Sequence, residues 1–250
     1  MTSLRRFALS VSTVLAAAAL VTGCVSTPGA PTSTSEPQPE QSQSTDAPHT
    51  GDDIEAAWLD GGRMFAVVTW GSSTCVPAAG EVTADGQTVT VALDEGDTDQ
   101  ACTDDLVPRA SLATLPDGVD PTKDVELIVT LGDFTDDVDL DGSAAVAAGA
   151  AEYEPSAGWF DDEGIVLLTW GSSTCAPIVE NVEADARTAT VTFATEDRMC
   201  TMDMAPRATI ISVGDLDDGD DDDADTDDDD KFTLTLVGDN LDGTVAVIEG

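Results

Sequence analysis

Positive charge is what this sequence most lacks: 9 Lys+Arg stand against 50 Asp+Glu, a formal net charge of −41. A surface of that sign repels phosphate backbones, which excludes nucleic acid as a partner, and it favours solubility, cations and basic proteins. Histidine is nearly missing as well. The single copy, His49, lies in a polar Ser/Thr/Pro stretch, where it reads as a linker residue. The rest of the chain therefore has no imidazole base, and its lysines are Lys123 and Lys231, neither near a repeated motif. Serine or threonine nucleophiles need an activating base within reach, so their absence argues against that chemistry. No apolar run reaches the ~20 residues of a membrane-spanning helix.

What is present at the N-terminus is a leader. Arg5 and Arg6 precede a mostly apolar or small stretch over residues 7–21, followed by Thr22-Gly23-Cys24. A basic start, an apolar middle and a small-residue cleavage site mark an export signal. Leu20-Val21-Thr22-Gly23-Cys24 resembles the bacterial lipobox. That resemblance implies cleavage after residue 23, a diacylglyceryl group (palmitate-type chains) on Cys24, and anchoring on the outer face of the cell membrane. Two acyl chains suffice for stable attachment, at about 0.8 kcal/mol per buried CH₂. Residues 24–53 form a Ser/Thr/Pro linker with little to bury; it is expected to be disordered and to span roughly 30 Å.

The remainder is a duplication. Thr69-Trp70-Gly71-Ser72-Ser73-Thr74-Cys75 recurs unchanged as Thr169 to Cys175, each copy followed by one apolar residue and then Pro77 or Pro177. Downstream, Cys102-Thr103-Asp104-Asp105-Leu106-Val107-Pro108-Arg109-Ala110 matches Cys200 to Ala208. Upstream, Trp58-Leu59-Asp60 matches Trp159-Phe160-Asp161. The unit is roughly 90 residues long. Its segments read as short strands. Met64 to Trp70 and Ile165 to Trp170 are continuous apolar runs, suited to strands buried on both faces. Glu81 to Leu93 alternates around Asp85-Gly86, a hairpin signal, and Val179 to Ala194 alternates likewise. Ala110 to Leu115, Ala208 to Val213, Val125 to Leu131 and Phe232 to Val237 supply further strands.

The expected architecture is all-β: two tandem small disulfide-stapled domains, sandwich or barrel, over residues 54–143 and 157–250. Residues 144–156 read as the connection, and residues 215–230 as an acidic insertion into the second domain. Five cysteines in an exported chain predict Cys75 paired with Cys102 and Cys175 with Cys200, because a duplicated unit should carry its own bridge. Cys24 is then the odd one, as lipidation requires.

Three motifs are candidates for chemistry. Ser72, Ser73 and Thr74 offer hydroxyls but read as a tight turn at Gly71, with Trp70 and Trp170 packed on the nearby disulfides. Arg109 and Arg207 each follow an acid by four residues, Asp105 and Asp203, and read as braced ion pairs. The Asp-rich insertion, including Asp217, Asp218, Asp220 and Asp221, could hold divalent cations weakly; Asp139-Leu140-Asp141-Gly142 has a similar flavour, but neither completes a calcium loop. The lipobox, linker and paired Trp-Gly-Ser-Ser-Thr-Cys-x-Pro units together resemble uncharacterised cell-envelope lipoproteins of high-GC Gram-positive bacteria. That resemblance implies location and modular build, and carries no activity. The expectation is a non-catalytic binding or structural lipoprotein without a cofactor, facing a cell-wall component, a basic protein or divalent cations. The rival is a hydrolase using carboxylates alone, drawing on Asp60 with Asp161 or Asp105 with Asp203.

Overall fold

The computed structural model describes residues 53–96, 101–142, 144, 146, 151–214, 216 and 231–249. The leader, Cys24, His49, and Asp217, Asp218, Asp220 and Asp221 lie outside the described residues. Each repeat folds as seven strands in the same order. The first has β1 (Ile54–Leu59), β2 (Met64–Gly71), β3 (Ala78–Asp85), β4 (Thr88–Asp94), β5 (Val107–Thr114), β6 (Val125–Leu131) and β7 (Phe134–Leu140). The second has β8 (Ser156–Trp159), β9 (Gly164–Gly171), β10 (Val179–Asp185), β11 (Thr188–Phe193), β12 (Ala205–Ser212), β13 (Thr233–Val237) and β14 (Gly243–Ile248).

In repeat one, a three-stranded sheet ordered β1-β2-β5 faces a four-stranded sheet ordered β3-β4-β6-β7. Repeat two has the same neighbours, but β14 also pairs with β8 through Val247↔Ala157 and Ile248↔Gly158. Its two layers thereby join into one curled sheet ordered β10-β11-β13-β14-β8-β9-β12. The β3–β4 hairpin turns where the sequence signalled, with Asp85 opposite Thr88. Gly86 there takes φ +69°, a conformation glycine adopts without strain. β5 and β12 begin ahead of the expected Ala110 and Ala208, at Val107 and Ala205, and include Pro108 and Pro206. Proline is tolerated because both are edge strands.

Strands β1, β8, β7 and β14 did not stand out as strands in the sequence. β8 is four residues, Ser-Ala-Gly-Trp. β7 interrupts its alternation at Asp136, which takes an inward position between Phe134 and Val138. The 144–156 connection is also more than a tether: Val146 is fully buried in the core of repeat one.

That first core gathers Trp58, Phe65, Val67, Val91, Leu127 and Val129, among others; a second gathers Ile165, Leu167, Val191, Ile211 and Leu236. A third lies between the repeats and takes the opposite faces of β2 and β9: Ala66, Val68 and Trp70 from one, Val166 and Leu168 from the other, with Trp170 packed alongside. The two continuous apolar runs are thus buried on both faces, one face toward their own repeat and one toward the other copy. Equivalent positions meet across this seam. Leu59 and Phe160 both contribute, as do Ala110 with Ala208 and Leu112 with Ile210, while β1 lies against β8 and β5 against β12. Matching elements facing each other describe an isologous, two-fold-like contact rather than a translational stack. The approach is tight at Gly158, where a Cβ would fall 2.1 Å from the Trp58 carbonyl oxygen.

Candidate functional site

The two disulfides are Cys75–Cys102 and Cys175–Cys200, with Cα separations of 5.6 and 5.7 Å. Such bonds persist in oxidising compartments and mark the chain as extracytoplasmic. Each bridge closes the same knot of hydroxyls around one carboxylate. In repeat one, Ser72 Oγ lies 2.8 Å and Thr74 Oγ1 3.2 Å from Thr103 Oγ1. The Thr103 hydroxyl donates to Asp105 Oδ1, and the Ser73 amide donates to the same oxygen at 3.2 Å. Repeat two reproduces it: Ser172 to Thr201 at 2.8 Å, Thr201 to Asp203 at 2.5 Å and the Ser173 amide to Asp203 at 3.2 Å.

Thr103 spends its proton on Asp105, so Ser72 must donate to Thr103, and the chain ends on the carboxylate. Hydrogen bonds from Thr103, and then Ser73, hold the Asp105 carboxyl below its ordinary value. Ser173 and Thr201 hold that of Asp203 down to about 2. A carboxylate stabilised in its charged form is a poor base. The knots are clasps across the bridge, and their hydroxyls are not activated nucleophiles.

The expected Arg–carboxylate pairs are not what braces the loop. Arg109 donates to the Cys75 carbonyl at 2.7 Å, Thr69 Oγ1 at 3.2 Å and the Trp70 carbonyl at 3.4 Å. Arg207 donates to the Cys175 carbonyl at 2.7 Å and the Trp170 carbonyl at 3.2 Å. Desolvation by burial lowers both guanidinium pKa values, with Glu95 and Asp105 opposing it at Arg109 and Asp239 at Arg207. Both arginines remain cations. The expected tight turn is present, closed by the Cys75 amide on the Ser72 carbonyl and the Cys175 amide on the Ser172 carbonyl, each at 3.2 Å, and the glycine before it has a further reason. A Cβ on Gly71 would fall 2.6 Å from the Arg109 guanidinium carbon, and one on Gly171 2.8 Å from that of Arg207. Glycine is there so that the guanidinium can lie flat over the chain. Trp70 meets Phe160 across the seam edge-on at 6.2 Å, and Trp170 meets Tyr153 at 5.2 Å.

The carboxylates singled out in the sequence end up in different settings. Asp60 is buried, with φ +53°, and holds Arg63 through Oδ1 at 2.5 Å and Oδ2 at 3.0 Å. Asp105 and Asp203 sit in their separate knots. Asp139-Leu140-Asp141-Gly142 ends β7: Leu140 is core and the Asp141 carbonyl accepts from Trp58 Nε1 at 2.9 Å. A Cβ on Gly142 would meet the Lys123 backbone at 2.0 Å, which accounts for that glycine without a calcium ion. Among the described residues no group of three or more His, Cys, Asp or Glu could hold a metal.

Of these, Asp139 and Asp161 line a concavity, and that concavity was invisible in the sequence because both repeats build it. It is a cleft of about 550 Å³ at the seam. β1 and β7 contribute Glu55 and Asp139, the turn after β8 contributes Asp161 and Asp162, and Glu249 follows β14. Trp159, Phe160 and Phe232 supply aromatic surface, and Arg187 is the single cation in the lining. Trp159 and Phe232 meet edge to face at 4.9 Å. Trp58, the counterpart of Trp159, is fully buried.

No protein-family model matches the chain, and neither does any curated protein or any solved structure.

Proposed function

We propose that this chain is a membrane-tethered extracytoplasmic binding protein without catalytic activity, and that the seam cleft takes a positively charged partner such as a basic segment of an exported protein. The observation that carries this reading is the lining: five carboxylates and three aromatic rings converge on one cleft against one guanidinium. Carboxylates attract ammonium or guanidinium groups, and aromatic faces add cation–π attraction once water is displaced. A hydrolase working through carboxylates draws on the same cleft but requires one acid held protonated beside an ionised one.

Titration with an oligolysine peptide tests the cleft. Tryptophan emission should change saturably, with affinity that falls as salt rises. D161N/D162N/E249Q should weaken binding about tenfold, more than the charge-matched surface variant E81Q/D85N/D133N. Equal weakening by the two variants would reduce the interaction to diffuse attraction by an acidic surface and overturn the cleft.

The tether is the second half of the proposal. Four of the five cysteines are consumed in disulfides, which leaves Cys24, at the end of the lipobox, available for acylation. A Cys24→Ala protein should appear in the medium with both disulfides intact. Its retention in the membrane fraction would show that something else anchors the chain.

A further inference from the structure

Beside the second disulfide, Met199, Met202 and Met204 project into solvent with relative exposures of 101%, 105% and 62%. Apart from Met1, the chain's remaining methionine is Met64, so this clustering within six positions is strongly uneven. The segment is not loose. Cys200 is bonded to Cys175, the Thr201 amide donates to Thr174 Oγ1 at 3.1 Å, Thr201 is clasped to Asp203, and β12 begins at Ala205. A fixed backbone thus presents three free side chains.

Repeat one is an internal control. It carries the same disulfide and the same hydroxyl knot, yet has Ala101, Asp104 and Leu106 at the matching positions. The three thioethers are therefore not needed to fold this loop. In an apolar role they would be covered, and they are the most exposed large apolar side chains among the described residues.

We propose that Met199, Met202 and Met204 form an all-thioether site for a soft monovalent d¹⁰ cation, cuprous ion. Thioether and thiolate sulfur are the protein ligands that favour Cu(I) over hard cations. In an oxidising compartment the cysteines here are locked in disulfides, so thioether is the soft donor that remains. It needs no deprotonation, unlike thiolate or imidazole, and so binds across a wide pH range. The field of a chain with net charge −41 raises the local concentration of any cation, while the selectivity comes from sulfur.

The test uses the full chain with Ag(I), a redox-stable stand-in, in chloride-free buffer, and Cu(I) in competition with a chromophoric chelator. One saturable equivalent should bind at pH 5 as at pH 7.5, and millimolar calcium should not displace it. The methyl signals of Met199, Met202 and Met204 should shift on binding while Met64, buried in the seam, stays put and reports that the fold is intact. Two variants separate the alternatives. M199A/M202D/M204L installs the residues of repeat one, and M199L/M202L/M204L keeps the apolar volume without sulfur; both should lose affinity at least about tenfold. Binding that survives in either variant, or that calcium displaces, would assign the cation to carboxylates and overturn the site, as would the absence of binding by the parent chain.

Discussion

Expressed without its partner, the second repeat, residues 151–250, will not remain a soluble monomer. Cutting the chain between the copies would bare Phe160, Val166, Leu168, Trp170, Ala208 and Ile210, all of which pack in the shared third cluster. Each large apolar side chain returned to water forgoes about 1.5–3 kcal/mol. Several together approach the ~5–15 kcal/mol that holds a whole domain folded. Because matching positions face each other across the seam, a second copy of the same repeat can take the place of the missing one. The expected product is a homodimer, or aggregate where Phe160 cannot substitute well for Leu59. Light scattering after size exclusion measures it directly. A monomer with cooperative unfolding and full stability would show that the third cluster is a contact rather than a core.

The seam also explains which features were legible in the sequence. Met64 to Trp70 and Ile165 to Trp170 read correctly as strands buried on both faces, since a continuous apolar run needs cover on each side. The sequence could not say that the second cover was the other repeat. β8 is illegible for the same reason. Its Gly158 lowers strand propensity, and the need for it appears only once the Trp58 carbonyl is seen 2.1 Å from where a Cβ would stand.

The Arg109–Asp105 pairing went astray because four-residue spacing brings side chains together on a helix, not along extended chain. Asp105 lies ahead of β5, which begins at Val107, and its carboxylate is engaged by Thr103 and the Ser73 amide, while Arg109 on β5 is opposite Thr69 on β2. It was the register with the Trp-Gly motif, not proximity in sequence, that chose its partners. The disulfide pairing and the two hairpins were local and survived. The cleft was not, because Glu55 and Asp139 reach it from one repeat while Asp161, Asp162 and Glu249 reach it from the other.

Replacing both disulfides by alanine pairs should unfold the protein under mild conditions. The bridges span sequence separations of 27 and 25 residues. Chain-entropy arguments place the stabilisation from loops of this length at about 3–4 kcal/mol each. Losing both removes about 7 kcal/mol by the same estimate, a large part of what a domain has. The hydroxyl knots do not substitute for the bridges, since they are exposed to solvent and bond across the very loop the disulfide holds closed. Urea unfolding of C75A/C102A, of C175A/C200A and of the quadruple variant resolves the contributions. The informative result is the shape of the single-pair curves. With a core shared between the repeats, losing either bridge should move one cooperative transition for the whole body to lower urea. A biphasic curve, in which the altered repeat melts alone and the other keeps its original midpoint, would mean that each repeat is stable by itself. The first prediction would then fail with this one, because both rest on Val68, Trp70, Val166 and Leu168 belonging to a single packed cluster.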